Sequence, residues 1–190
     1  ESLKQKIGID DLKSLESDPA ALENLQILAP VINPAWGTYQ LNSYLQSWVG
    51  NNINRKGDYQ EIGTQKIYKN DKVIQLQNIL RESYPSKEKY PLSNGQIGFV
   101  KSINKGHINV MYVGIPHETF GFRGDKGEDQ DAAIELAYAI TIHKSQGSDF
   151  DTVFVVLPKT GRILSRELIY TALTRAKKRV VLLVQDSIGR

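Results

Sequence analysis

After Thr38 the hydrophobic residues recur at intervals of three and four positions, the spacing of one face of an α-helix. Thr38 precedes this pattern and can cap the predicted helix. A short helix is predicted in the stretch where Leu12, Leu15, Leu22 and Leu25 stand among acids and lysines, with Asp18-Pro19 as its N-cap and first-turn pair. The residues that share the helical spacing after Thr38 are Leu41, Tyr44, Leu45 and Trp48.

Other segments are apolar at consecutive positions. Such runs are typical of strands buried on both faces in a parallel sheet that is covered by helices. A further strand is predicted over residues 135–142, and a helix over residues 166–176 with Ser165 as its N-cap. Strands are predicted over residues 25–29, 153–157 and 179–184; residues 153–157 and 180–184 are uninterrupted apolar runs, whereas residues 25–29 include Gln26.

The middle of the chain has short strand patterns separated by turn residues such as Asn94-Gly95. Several short strands within about 60 residues predict a small β-barrel. We therefore expect an α/β domain over residues 1–63 and 127–190, with the barrel inserted over residues 64–126. The strands predicted for the barrel are residues 71–76, 95–100 and 108–113.

The aromatic residues of the predicted barrel have two possible roles. They can stack on the bases of a single-stranded nucleic acid, or they can fill the core of the barrel. The sequence alone leaves both open. These residues are Tyr68, Tyr84, Tyr90, Phe99, Tyr112, Phe120 and Phe122.

The composition excludes several classes of protein and of binding site. The 190 residues include no cysteine, which excludes disulfides and thiolate metal sites and suits a reducing cytosol. No apolar run approaches the roughly 20 residues of a membrane-spanning helix, so we expect no membrane partner, and no metal site is predicted. The net charge is only +3, but residues 159–190 hold eight basic and two acidic residues, a balance of +6. That excess is either a solvated face or a surface for phosphates.

The segment of residues 139–151 combines hydroxyl, cationic and glycine residues after a predicted buried strand. The carboxyl end of such a strand is where open α/β sheets bind ligands. Gly147 would let a backbone N–H approach a phosphate, and Lys144 can donate to phosphate oxygens. A turn that simply requires polar residues and one glycine is the alternative.

Arg175 lies near the end of the helix predicted over residues 166–176 and is flanked by small residues. Its guanidinium could project into a cleft and hold a phosphoryl group that is being transferred. Alternatively, its charge serves only to favour the carboxyl end of the helix dipole.

Taken together, these two segments resemble a known family. Residues 143–151 (HKSQGSDFD) resemble motif V of superfamily 1 helicases, and residues 170–176 (YTALTRA) resemble motif VI. Residues 26–30 and 36–42 resemble the opening of the C-terminal motor domain in RecD-like members. Residues 70–75 and 94–98 resemble the SH3-like barrel inserted in that domain. The resemblance implies a RecA-like parallel-sheet domain, the second motor domain, with an inserted SH3-like barrel.

The resemblance also implies roles for single residues. Arg175 would be the catalytic arginine that reaches the γ-phosphate of ATP. Gly147 and Asp149 would face the phosphate and the sugar of the nucleotide, with Gln146 beside them. The residues implied to contact single-stranded DNA are Thr141, His143 and Lys144.

One part of the ATP site has no counterpart in the sequence. A P-loop needs the pattern GxxxxGK[ST], which does not occur in these 190 residues. We expect the chain to be a piece of a longer protein whose N-terminal motor domain binds most of ATP and Mg²⁺, and to be inactive alone. Expected partners are single-stranded DNA, that motor domain and other recombination or repair subunits.

Two other functions remain possible. A UvrD-like helicase that moves 3′ to 5′ has similar motifs, although that branch inserts a helical domain where a barrel is predicted here. A nucleic-acid-binding module with a decayed nucleotide site is the non-catalytic alternative. RecD-like relatives move 5′ to 3′, which is the direction that we expect.

Overall fold

The structure, a computed structural model, describes residues 19–33, 36–52, 59–104, 106–123, 133–158 and 165–185. Within these ranges, no helix is both long enough and apolar enough to cross a membrane. The helical elements are a 3-10 helix (Pro19–Glu23), α1 (Thr38–Asn52), a 3-10 turn (His143–Ser145) and α2 (Arg166–Leu173). The strands are β1 (Leu25–Ala29), β2 (Tyr59–Ile62), β3 (Gln65–Tyr68), β4 (Lys72–Gln75), β5 (Ile79–Tyr84), β6 (Lys89–Leu92), β7 (Ile97–Asn104), β8 (His107–Tyr112), β9 (Thr119–Arg123), β10 (Ile134–Leu136), β11 (Ala139–Thr141), β12 (Phe150–Leu157) and β13 (Ala176–Val184).

The chain divides into two compact units, and both are built from separate stretches of sequence. One comprises Glu1–Leu22 and Val49–Ala137, and the other comprises Glu23–Trp48 and Tyr138–Arg190. The division predicted from the sequence, an α/β domain over residues 1–63 and 127–190 with a barrel over residues 64–126, stays a prediction.

A four-stranded parallel sheet forms the centre of the unit that contains the candidate site. Its strand order is β11-β1-β12-β13. β1 has a neighbour on each side, and four of its five residues are buried, as its apolar run predicts. The protein is thus mixed α/β with a parallel sheet. The core between this sheet and α1 includes Ile27, Ala29, Leu45, Ala139, Phe154 and Val156.

The other unit contains a seven-stranded sheet, in the order β10-β4-β7-β8-β9-β5-β6, and the separate hairpin β2-β3. All of its described pairings are antiparallel. The order has two ends, so the pairings among the described strands do not close into a barrel, and the SH3-like barrel stays a prediction. The hairpin β2-β3 was not predicted, because residues 50–63 lack a clear apolar pattern.

Packing explains much of the aromatic content of this sheet. Four of the seven aromatic residues considered above are fully buried, whereas Tyr84 is exposed. The buried hydroxyl of Tyr112 donates a hydrogen bond to Oε1 of Gln75 (2.6 Å). Burial of this phenol raises the pKa of Tyr112 well above its usual value. The four buried aromatic residues are Phe99, Tyr112, Phe120 and Phe122.

The prediction of a single strand over residues 135–142 is wrong. The structure divides it into β10, which pairs with β4 in the antiparallel sheet, and β11, which pairs with β1 in the parallel sheet. The two strands lie in different compact units, with the boundary between Ala137 and Tyr138. The apolar pattern is continuous across that boundary because both strands are buried. Periodicity therefore could not locate the change of sheet.

The end of the chain also differs from the prediction. The helix predicted to reach residue 176 ends at Leu173, and β13 begins at Ala176. The apolar run at residues 179–184 is largely exposed rather than buried on both faces, with Leu182 50% and Val184 66% exposed. β13 is the last strand of its sheet, and among the described strands only β12 pairs with it. The apolar composition predicted the strand correctly, but it did not predict whether another layer of the protein covers that strand.

Candidate nucleotide and nucleic-acid site

The residues predicted to bind ligands fall into two groups at opposite ends of the parallel sheet. Thr141, at the carboxyl end of β11, pairs with Ala29 of β1, one residue beyond the pair of Leu28 with Val155. Asp149 precedes β12, which begins five residues before Val155. About seven residues of strand, roughly 23 Å, therefore separate the two levels of the sheet.

The carboxyl-edge cluster consists of Thr141, His143 and Lys144. Thr141 is buried, and its side-chain Oγ1 accepts a hydrogen bond from the backbone N–H of Lys144 (3.3 Å). The buried hydroxyl of Ser145 donates to the carbonyl of Ile142 (2.7 Å), which fixes the same turn. His143 is exposed at the surface of this turn. The structure thus brings together the three residues predicted to contact DNA.

Asn42 of α1 holds β11 in place, a role that the sequence did not predict. Its side-chain amide donates to the carbonyl of Ala139 (2.8 Å) and accepts from the N–H of the same residue (2.8 Å). Both residues are buried. The amide thereby occupies the place that a neighbouring strand would take beside β11. It fixes the strand that leads directly into the carboxyl-edge cluster.

The amino-edge cluster is centred on Arg175. Its Nη1 donates to the carbonyl of Ser148 (3.3 Å) and lies 3.5 Å from Oδ1 of Asp149. Its Nε donates to the carbonyl of Thr171, and its Nη2 donates to the hydroxyl of Thr174 (both 3.3 Å). The side chain is 22% exposed, so it is partly accessible at the surface. The structure thus brings Arg175 and Asp149 together as predicted nucleotide-binding residues.

The cap of α2 and a backbone hydrogen bond fix the position of Arg175. The hydroxyl of Ser165 accepts from the N–H of Leu168 (3.1 Å), which confirms the predicted N-cap of α2. Hydrogen bonds from Ser165 and from the backbone lower the pKa of Glu167 in the first turn. Beyond the helix, the carbonyl of Arg175 accepts from the N–H of Phe150 (2.8 Å). The backbone of Arg175 is therefore attached to the beginning of β12.

Gln146 and Gly147 lie between the two clusters, and both are exposed. Gly147 has a φ of +86°, and a Cβ atom added there would meet nothing within 4 Å. The backbone thus requires glycine for its conformation and not for space. Neither residue contacts the amino-edge cluster in the hydrogen bonds described, so their predicted nucleotide contacts stay predictions.

Substituting Gly147 tests whether the backbone or a ligand requires glycine there. We expect Gly147→Ala to lower the free energy of unfolding by about 1–2 kcal/mol, the cost of a left-handed conformation for a residue with a Cβ. Gly147→Asn should be milder, because asparagine adopts this conformation more readily. Urea unfolding of the two variants and the wild type measures the difference. Equal stability of Gly147→Ala and wild type would contradict the expectation.

The pairing of β12 with β13 contains an irregularity close to Arg175. Phe150 pairs with Ala176, but Thr152 pairs with Arg179. One residue of β12 therefore faces two residues of β13, an arrangement called a β-bulge. Bulges are rare between parallel strands and are over-represented beside functional sites, where they redirect side chains. Nothing in the sequence pattern indicated this feature.

Charge at the amino edge favours an anionic ligand. Four cationic residues lie in the segment of residues 175–179, and two carboxylates lie at the start of β12. The local net charge is therefore +2. Among the described residues, no group of three or more histidine or carboxylate side chains is placed to hold a metal ion. The cationic residues of this edge can therefore bind phosphate oxygens. The cations are Arg175, Lys177, Lys178 and Arg179, and the carboxylates are Asp149 and Asp151.

Known proteins resemble the part of the chain that holds both clusters. Residues 136–183 match the UvrD-like helicase C-terminal domain family. The RecBCD enzyme subunit RecD of Mycobacterium tuberculosis is 56% identical over 48 residues, which cover 25% of this chain and 8% of that protein. The ATP-dependent RecD2 DNA helicase of Deinococcus radiodurans is 30% identical over 156 residues, which cover 82% of this chain and 19% of that protein. The chain thus spans less than a fifth of either relative.

A solved structure agrees with these sequence similarities in its fold. The crystal structure of a Pif1 helicase from Candida albicans superimposes with a TM-score of 0.51 at 16% identity, covering 95% of this chain and 53% of that one. The resemblance to the C-terminal domains of superfamily 1 helicases, expected from motifs V and VI, is therefore confirmed.

Proposed function

We propose that this chain is the C-terminal motor portion of a RecD-like superfamily 1 DNA helicase. The observation that carries the proposal is the pairing of Arg175 with Asp149, which are 26 positions apart in sequence and 3.5 Å apart in space. Both lie within the segment that matches the helicase family. A nucleotide at the amino edge and DNA at the carboxyl edge would then share one parallel sheet.

In this proposal, Arg175 is the catalytic residue of a composite ATP site. Its guanidinium would stabilise the charge that develops on the γ-phosphate during hydrolysis. The partly exposed side chain and the positive balance of its surroundings support that role. Gly147 and Gln146 would line the phosphates, and Asp149 would hold the sugar. Binding of the sugar would take the carboxylate of Asp149 away from Arg175, which frees the guanidinium for phosphate.

Single-stranded DNA would lie along the carboxyl-edge cluster. Lys144 can neutralise a backbone phosphate, and Thr141 and His143 can donate hydrogen bonds to phosphate oxygens. The hydrogen bond between Thr141 and Lys144 supports their action as one unit. Because a single segment joins the two clusters, closing the nucleotide site would change the grip on DNA.

The proposal also assigns functions outside the two clusters. ATP and Mg²⁺ would be bound mainly by an N-terminal motor domain that carries the P-loop, and the chain alone would be inactive. The antiparallel sheet would correspond to an inserted SH3-like barrel. We further propose 5′ to 3′ movement, work in DNA repair with possible recombination subunits, and a cytoplasmic location. Similarity to RecD and RecD2 supports these assignments.

Replacing Lys144 tests the DNA-binding part of the proposal. We expect Lys144→Ala to weaken binding of single-stranded DNA irrespective of sequence. The slope of log K against log salt concentration should become less steep by about 0.7, the value for one phosphate contact on a single strand. Fluorescence anisotropy of a labelled oligonucleotide, titrated at several salt concentrations, measures both quantities.

Lys177 provides the matched control for this experiment. It is an exposed lysine at the opposite edge of the same sheet. Lys177→Ala should leave the salt slope unchanged if DNA lies along the carboxyl-edge cluster. Equal changes in slope for the two variants would locate the DNA elsewhere and contradict the proposal.

A further inference from the structure

The hairpin β2-β3 has one buried face and one outer face. Its buried side chains are Ile62 and Ile67, which are 4% and 0% exposed. On the same side, Oε1 of Gln65 accepts a hydrogen bond from the N–H of Leu136 in β10 (2.9 Å). Because a two-stranded hairpin is marginally stable by itself, these contacts are what hold it against the rest of its unit. The residues of the outer face are Tyr59, Glu61, Lys66 and Tyr68.

Two tyrosines lie opposite each other on the outer face. Tyr59 of β2 pairs with Tyr68 of β3, and their ring centroids are 5.5 Å apart with the ring planes tilted by 48°. Cross-strand aromatic pairs stabilise a sheet, so this pair supports the hairpin. Tyr59 nevertheless remains 44% exposed. It therefore presents aromatic surface to solvent on the side that is not needed to attach the hairpin.

A cation lies beside this aromatic surface. Nζ of Lys66 is 4.6 Å from the centre of the Tyr59 ring, within the range of a cation–π interaction. Lys69 directly follows Tyr68 and is exposed. Glu61 is the single carboxylate among the four residues of the outer face. An aromatic ring flanked by lysines fits a ligand that combines a flat ring with negative charge.

Further cations lie at the neighbouring turn between β7 and β8. A Cβ atom added to Gly106 in that turn would be 3.7 Å from Oε1 of Gln60, the residue after Tyr59. His107, which follows Gly106, pairs with Arg123 of β9, and both are exposed. The surroundings of the tyrosine pair thus favour an anionic strand rather than a neutral or acidic partner.

We propose that Tyr59, supported by Tyr68, is a stacking surface for one unpaired base of a single-stranded nucleic acid, and that Lys66 binds the adjoining phosphate. Stacking on an aromatic ring tolerates any base, because every base has a π face. A base that arrives on the Tyr59 ring displaces the ammonium of Lys66, and the phosphate beside that base offers the ammonium an ion pair.

This site is separate from the carboxyl-edge cluster. The hairpin belongs to the compact unit that contains the antiparallel sheet, whereas Thr141, His143 and Lys144 belong to the other unit. The identity of the ligand as a single-stranded nucleic acid rests on the function proposed above. The tyrosine pair would add a contact to bases, whereas the carboxyl-edge cluster is proposed to contact only the backbone.

An oligonucleotide without bases separates stacking from charge. A labelled strand of thymidines and an abasic strand of the same length carry the same phosphates, so the ratio of their affinities measures the contribution of the bases. Fluorescence anisotropy with the purified chain gives both affinities. We expect Tyr59→Leu to lower this ratio by about 5- to 100-fold, the range for the loss of one base stacked on an aromatic ring. Leucine keeps an apolar side chain but removes the π face.

Two control variants make the result specific. Tyr59→Phe keeps the ring and should keep the ratio of the parent chain. Tyr44→Leu removes a tyrosine of α1 that is 69% exposed and should leave the ratio unchanged. An unchanged ratio in Tyr59→Leu, or an equal fall in Tyr44→Leu, would overturn the proposal. Equal weakening of both strands by Tyr59→Leu would also overturn it, because the ring would then support the hairpin and not a base.

Replacing Lys66 tests the phosphate contact. Lys66→Met should make the slope of log K against log salt concentration less steep by about 0.7 for both strands, the value for one phosphate contact on a single strand. The ratio of the two affinities should remain that of the parent chain, since the Tyr59 ring is still present. An unchanged slope would refute the assignment of Lys66 to a phosphate.

Comparison with Lys144→Ala separates this inference from the proposed function. If Lys144→Ala reduces the salt slope but Tyr59→Leu leaves the affinity ratio unchanged, the stacking surface fails and the carboxyl-edge cluster stands. If Tyr59→Leu lowers the ratio but Lys144→Ala has no effect, the stacking surface stands and the proposed path of DNA along the carboxyl-edge cluster fails. A chain that binds neither strand would overturn both.

Discussion

Arg175→Ala is expected to lower the DNA-stimulated ATPase rate of the proposed parent helicase by about 10³-fold or more, as the loss of an arginine finger does. The guanidinium donates to two backbone carbonyls and a threonine hydroxyl, and the side chain is 22% exposed. Alanine removes the charge that would stabilise the transferring phosphoryl group. The measurement is ATP turnover with single-stranded DNA titrated from zero to saturation.

Two further variants make this experiment specific. Arg175→Lys keeps a positive charge but loses the planar fork of donors, so most of the rate should remain lost. Arg166→Ala removes an exposed arginine at the first position of α2, at the other end of the helix from Arg175, and should leave turnover near the wild-type value. An inert parent protein, or full activity in Arg175→Ala, would favour the non-catalytic nucleic-acid-binding module instead.

Asn42→Ala is expected to produce a large loss of stability. The substitution leaves the buried N–H and C=O of Ala139 without their side-chain partner, and each such group costs about 1–3 kcal/mol, so the free energy of unfolding should fall by about 2–5 kcal/mol. Asn42→Asp should also be destabilising, because a carboxylate can accept from the N–H but cannot donate to the carbonyl. Urea unfolding of the purified chain, followed by circular dichroism, gives these values.

Ser43→Ala is the matched control for that prediction. Ser43 is the next residue of α1 and is exposed, so its substitution should change the free energy of unfolding by no more than about 0.5 kcal/mol. Similar values for Asn42→Ala and Ser43→Ala would show that the amide does not support β11.

The sequence predicted those features that depend on neighbouring residues. The apolar run at Leu25–Ala29 forms the predicted strand, and Ser165 caps α2, because both depend on a few adjacent side chains. Likewise, Arg175, considered for its charge, and Asp149, implied by the family resemblance, do lie together. Their ion pair was not predicted, because it joins two segments separated by a strand and a helix.

Features that depend on distant partners were missed. The boundary between Ala137 and Tyr138 separates two strands that pair in different sheets, which no local period reveals. The role of Asn42 depends on the position of Ala139, 97 residues away. The exposure of β13 depends on what lies beside the last strand of the sheet. In each case the feature depends on contacts between residues that are distant in sequence, and the pattern of neighbouring residues does not reveal such contacts.

The exposed end of β13 has a consequence for the behaviour of the chain in solution. An uncovered apolar edge strand is a template on which a second chain can form hydrogen bonds and aggregate. The charges that oppose such pairing lie at the beginning of the strand, in Lys177, Lys178 and Arg179, whereas its last three residues, 182–184, are apolar. Self-association of the isolated chain should therefore begin at the carboxyl end of β13, so a lysine in place of Leu182 would be the substitution to introduce when preparing it at high concentration.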